Sequence, residues 1–175
     1  RFSFPEDNPH LRMETTEYRI VEQAQFNTTL EKAERLLSQG ALHDAEALYR
    51  DILNAVPGQP EASQGLGLIA LHTGNASAAV ELLQMAAIAL PNDARLHAHL
   101  GLALATAGDA FSAESCYLKA IDLEENFVDP RLNLANLLLE TGRTEEAADA
   151  YADAERLAPD SGPVHYGRSM LEMRR

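Results

Sequence analysis

Gly40, Gly74, Gly108 and Gly142 recur every 34 residues, and each follows an apolar run of helical period. Repetition at that spacing constrains the chain more than any other feature. A unit of this size cannot bury its own apolar face, so successive units must stack. Other positions keep step with the glycines. Five residues after each comes an alanine (Ala45, Ala79, Ala113, Ala147), and nine after comes a large side chain (Tyr49, Leu83, Tyr117, Tyr151). Seventeen after stand Pro57, Pro91 and Pro159, with Glu125 replacing the proline in the third copy. Before the glycines lie Lys32-Ala33, Leu66-Gly67, Leu100-Gly101 and Leu134-Ala135. The chain has 29 Ala and 26 Leu but only 5 Val and 5 Ile, so strong helix formers dominate and strand formers are scarce. The fold class is all-α.

Each repeated position has a physical reading. A glycine between two helical runs can enter the left-handed conformation that ends a helix, and the chain then returns as an antiparallel hairpin. Asn75 and Asp109, next in line, can cap the following helix. Gly67, Ala79, Gly101, Ala113, Ala135 and Ala147 are small where two helices approach closely, and the Tyr or Leu fills the space beside them. The proline stops the second helix and starts the next unit.

These residues resemble the tetratricopeptide repeat, whose 34-residue pattern runs through Leu-Gly, a helix-turn Gly, Ala, an aromatic residue and Pro. The resemblance covers four units, 26–59, 60–93, 94–127 and 128–161, beginning at Phe26, Pro60, Ala94 and Val128. It implies an α-solenoid of stacked antiparallel helix pairs wound as a right-handed superhelix. The first unit departs with Lys32-Ala33 and Ile52, and the third lacks its proline. Residues 1–25 lie outside the pattern as an N-terminal extension, irregular around Pro5, Asn8 and Pro9 and then helical, with Tyr18, Val21 and Ala24 at helical spacing. Residues 162–175 read as a capping helix or a truncated fifth unit. There Tyr166-Gly167-Arg168-Ser169-Met170-Leu171-Glu172 aligns with 134–140 at an offset of 32, two residues early.

Charge and composition exclude several function classes. With 14 Lys+Arg against 27 Asp+Glu, a net charge of -13 and no basic cluster, nucleic-acid and anionic-membrane binding are disfavoured. No apolar run spans a bilayer, and the start has no basic n-region followed by an apolar stretch. The chain therefore reads as cytoplasmic, although it begins at Arg1 and a signal could have been removed. Cys116 is the single cysteine, which leaves no internal disulfide and no cysteine-rich zinc site. His97 and His99 point roughly 200° apart around one helix and cannot share an ion. His97 and His165 read as half-buried structural residues, His43 and His72 as helix-end residues. Cys116, beside Tyr117, reads as a small packing residue. Neither a metal, a cofactor nor a catalytic group is expected, and the Asn27 and Asn75 sequons fall in helices or at their starts.

What remains is surface. In tetratricopeptide arrays positions two, five, nine and twelve of each first helix face a concave groove. The resemblance places there Asn27, Leu30, Glu34 and Leu37; Glu61, Gln64, Leu68 and Leu71; Arg95, Ala98, Leu102 and Ala105; Asp129, Leu132, Asn136 and Leu139. Arg168 is the further cation near the groove. Leu37, Leu71 and Leu139 can equally pack against adjacent repeats. Exposed Leu30, Leu68, Leu102 and Leu132 would form an apolar stripe suited to a peptide or helix. The ninth positions, Glu34, Leu68, Leu102 and Asn136, do not suit the carboxylate clamp of chaperone-binding members, so a chaperone C-terminal tail is rejected. The expectation is a non-catalytic scaffold that binds a peptide or helix of a protein partner in a largely apolar groove. Arg95, Asn136 and Gln64 would set the register. The alternatives are a docking segment of a larger enzyme, of glycosyltransferase, sulfotransferase or oxygenase type, and a self-assembling scaffold.

Overall fold

The computed structural model describes the backbone of residues 9–174 and the side chains of residues 24–174. All described elements are helices: α1 Pro9–Ser38, α2 Leu42–Ala55, α3 Pro60–His72, α4 Ala76–Ala89, α5 Ala94–Thr106, α6 Ala110–Leu123, α7 Val128–Glu140, α8 Thr144–Leu157 and α9 Gly162–Arg174. The four repeated glycines carry φ of 76°, 78°, 88° and 80°, the left-handed region they were expected to occupy. Each closes the same double hydrogen bond. Gly74 N donates to Leu71 O at 3.1 Å and Asn75 N to Ala70 O at 2.8 Å, and the other three turns repeat the pattern. The side chains of Asn75 and Asp109 then accept from Ala78 N and Ser112 N, at 3.2 and 3.0 Å, and start α4 and α6.

Between units the chain turns over four residues. The closing bond of that turn, Asp93 N to Leu90 O or Ser161 N to Ala158 O, recurs as Phe127 N to Glu124 O, at 3.0 Å, where the proline is missing. The third junction thus keeps its geometry without Pro. The start of α9 at Gly162 stands 34 residues after that of α7 at Val128, so the offset of 32 expected for the last helix does not hold. Buried Val164 and Leu171 match Pro130 and Leu137 at the 34-residue spacing. The loop before α9 has the same length as the others, and that loop fixes the register. The long α1 extends the first helix of unit one back to Pro9; the expectations for residues 1–8 lie outside the described residues.

The core is a column of small and large residues. Ala79, Ala113, Ala135 and Ala147 are fully buried, and Leu83, Tyr117 and Tyr151 fill the space beside them. A Cβ on Gly67 would come 2.7 Å from Leu83 Cγ, and one on Gly101 would come 2.7 Å from the Tyr117 ring, as the close approach predicted for these glycines requires. Two further glycines serve the same end across unit boundaries. Gly65 lies against the ring of Tyr49 and Gly167 against that of Tyr151, so in each case a tyrosine of one unit bridges to the first helix of the next.

Candidate functional site

The odd-numbered helices α1, α3, α5, α7 and α9 touch one another in a row, and the even-numbered helices pack behind them. Between α1, α3 and α5 this row encloses an open cavity of about 540 Å³. Glu34, Gln64, Leu68 and Arg95 of the expected groove residues line it, with Leu37 and Glu61. Tyr49, Gly65, Asp93 and His99 line it as well, although the repeat pattern places none of them in the groove. The signal for them was weak, because Gly65 and His99 share position six, where the repeat has no fixed residue type.

Charged and polar side chains share the lining of the cavity with apolar surface. Leu37 and Leu71 are half-buried against the core, while Glu61, Gln64 and Arg95 reach the opening from α3 and α5. Tyr49 underlies it with a phenol pushed up to about 12 by burial and by nearby Glu34. Across the floor Gln64 Nε2 and His99 Nδ1 stand 3.4 Å apart, which links α3 to α5. Burial lowers the His99 pKa and Arg95 adds to the effect, against the pull of Asp93 and Asp129. His99 is therefore held neutral at pH 7, with donor and acceptor nitrogens for polar contacts.

The other expected residues scatter. Leu102 is 40% exposed, whereas Leu30 and Leu132 are half-buried. Ala98 is only 5% exposed, a correction to its placement in the groove, because the close packing of neighbouring first helices covers so short a side chain. Asn136 is exposed, but its Oδ1 accepts from Tyr151 Oη at 2.5 Å. Leu139 is buried. Arg168 is also corrected. It occupies the position of Leu66, Leu100 and Leu134, and its Nη1 pairs with Glu155 Oε2 on α8. His97 is half-buried, with Nε2 2.9 Å from Pro91 O. His165, expected to be half-buried, is exposed beside Glu155, because no later helix among the described residues covers α9.

Burial raises the pKa of the Cys116 thiol, with Asp109 adding to it, so the nucleophilic thiolate is disfavoured. Among the described residues no group of three or more His, Cys, Asp or Glu is placed to hold a metal, and no helix is long and apolar enough to cross a membrane.

Tetratricopeptide repeat models match residues 36–102, 94–127 and 116–149, a continuous run over most of the helical array. The chain belongs to the tetratricopeptide repeat family. A TPR repeat-containing protein of Pseudomonas aeruginosa is 37% identical over 120 residues, covering 69% of this chain and 47% of that protein. The chain spans less than half the length of the curated relatives it matches. Among solved structures, MamA from Desulfovibrio magneticus RS-1 superposes with a TM-score of 0.71 at 20% identity, over 78% of this chain and 77% of that one. YrrB, described as a TPR protein with an unusual peptide-binding site, superposes with a TM-score of 0.71 at 20% identity, over 90% and 82%. At that identity the likeness is one of fold: a tetratricopeptide solenoid with the row of first helices on one face.

Proposed function

We propose that this tetratricopeptide array is a non-catalytic protein-interaction scaffold, and that its row of first helices holds a peptide or helix of a protein partner. The open cavity between α1, α3 and α5 carries this reading. It offers charged and polar side chains, two half-buried leucines and room for side chains. The peptide-binding site named for YrrB supports the same use of a similar fold.

The test compares the parent with the Leu68→Glu/Leu102→Glu variant. Both side chains are at least partly exposed, so the variant should keep its helical circular dichroism and its cooperative melting. Peptide-array binding should be lost with the fold intact. A folded variant that captures the same peptides as the parent refutes the groove. Concentration-dependent mass in analytical ultracentrifugation would instead favour self-assembly.

A further inference from the structure

The outer face of the array, formed by the even-numbered helices, differs between its ends and its middle. The two most exposed large apolar side chains among the described residues, Ile88 on α4 and Phe111 on α6, are each 83% exposed. Met85 and Leu118 lie on the same two helices at 53% and 47%. Both helices belong to interior units, so repeats already flank them on either side. The repeat does not demand these side chains. Phe111 stands where the other units have His43, Ser77 and Glu145, and Ile88 where they have Asn54, Asp122 and Arg156. Charge changes along with apolarity: α8 carries five carboxylates and one arginine, whereas Glu81 is the single charged residue of α4. On α6 Glu114 is engaged by Arg143, which leaves Lys119 and Asp122. Neither of these two, nor Glu81, forms an ion pair among the described residues.

We propose that the outer face of α4 and α6 is an interface between two copies of this chain, related by a twofold axis that passes beside Leu118. α4 and α6 are equivalent helices of successive units and run the same way, and the counterpart of Leu118 on α4 is Gln84, next to Met85. Phe111 therefore sits at one end of the face and Ile88 at the other, about 16 Å apart along the helix direction, with Leu118 about 10 Å from the level of Phe111. A twofold axis at Leu118 exchanges the two ends. Phe111 of each copy then covers Met85 and Ile88 of the other, and Leu118 packs on its own counterpart. The same rotation brings Lys119 of each copy toward Asp122 of the other, so the rim carries two reciprocal pairs of opposite charge. A second copy is the occupant because the face complements itself in both respects. Two chains of net charge -13 repel, and contact at α4 and α6 keeps the carboxylates of α8 apart. At about 150–200 Å² for a full side chain, the four apolar residues offer roughly 450 Å², in the upper part of what a monomer exposes. The polar rim around them brings the face to about the 800 Å² per partner of a stable interface. The row of first helices lies on the other side of the array, so such a dimer leaves the groove open.

Sedimentation equilibrium on the whole chain tests this. The parent should show a reversible monomer–dimer equilibrium with no larger species, because a twofold contact closes on itself. Ile88→Ser/Phe111→Ser should weaken the dimer at least about tenfold with the helical circular dichroism unchanged, since both side chains are exposed in the single chain. Lys119→Glu should weaken it as well, and Lys119→Glu/Asp122→Lys should restore it. Loss of apolar surface or of folding gives no such recovery. Leu68→Glu/Leu102→Glu, on the row of first helices, should dimerise as the parent does. A parent that stays monomeric at millimolar concentration overturns the proposal, as does a dimer indifferent to Ile88→Ser/Phe111→Ser or a charge swap without recovery. A dimer lost in Leu68→Glu/Leu102→Glu and kept in Ile88→Ser/Phe111→Ser assigns the contact to the groove and also overturns it. Peptide capture on the array is scored separately. A monomeric chain that still binds peptides overturns this inference alone, and a dimer of the expected kind that binds none supports it while the groove reading falls.

Discussion

Gly65→Ala tests the contact on which the first unit boundary depends. In an ordinary helix interior this change stabilises by about 1 kcal/mol, because alanine has less backbone entropy to lose. At Gly65 the new methyl would stand 2.6 Å from Tyr49 Cε1 and closer still to Cζ and Cε2. Contacts with a Cβ normally lie beyond 3.4 Å, so the ring must retreat by about 1 Å. Tyr49 is 1% exposed, and its ring can retreat only toward the cavity it underlies, giving up packing on its other sides. Such overpacking costs about 3 kcal/mol, the upper part of the usual range, and the net loss is about 2 kcal/mol. For a chain of this size that lowers Tm by about 4–8 °C. Far-UV circular dichroism in a urea series and a thermal melt measure both quantities. The double-mutant cycle sharpens the test. With Tyr49→Ala in place the clash is gone, so adding Gly65→Ala should recover about 1 kcal/mol, a coupling of about 3 kcal/mol. If Gly65→Ala is as stable as the parent, or the cycle shows no coupling, the tyrosine does not bridge the two units as described.

Three further outcomes follow from single contacts. Asn75→Ala removes the acceptor for Ala78 N and should cost about 1 kcal/mol in urea unfolding, whereas Asn75→Asp should cost little. His99 has a folded pKa below its ordinary 6.5, so on acidification the unfolded chain takes up its proton first. Its contribution to stability is complete above pH 6.5 and is lost as pH falls below that value, until the folded form also protonates. The melting temperature of His99→Gln should therefore fall less than the parent's over that window, and parallel curves would refute the burial of the ring. Arg168→Ala should leave peptide affinity unchanged, since its guanidinium is engaged by Glu155, and a loss of binding on the peptide array would return Arg168 to the groove.

The parts of the fold legible in the sequence are those in which backbone geometry demands one residue type. A left-handed φ admits glycine at little cost, so Gly40, Gly74, Gly108 and Gly142 mark every hairpin. Interhelical contact likewise keeps Ala79, Ala113 and Ala147 small. Where a contact depends on a partner that itself varies, the signal disappears. Position six is Gly65, His99, Asn133 and Gly167, and it is glycine where the tyrosine of the preceding unit lies over it. In the third unit the Tyr117 ring leans instead onto Gly101 of its own hairpin, and Asn133 is free of that constraint.

The last helix shows how a small error of register reaches the site. Matching Tyr166-Gly167 to Leu134-Ala135 aligned an aromatic-small pair with an apolar-small pair, and so placed Arg168 on the concave face. The constant loop between units moves that alignment by two residues, and two residues turn a helical side chain by about 200°, to the opposite face. Arg168 then meets Glu155 on α8. Of the two cations expected near the groove, only Arg95 lines the cavity. Unchanged peptide affinity in Arg168→Ala thus tests the register of α9 together with the pairing that register brings about.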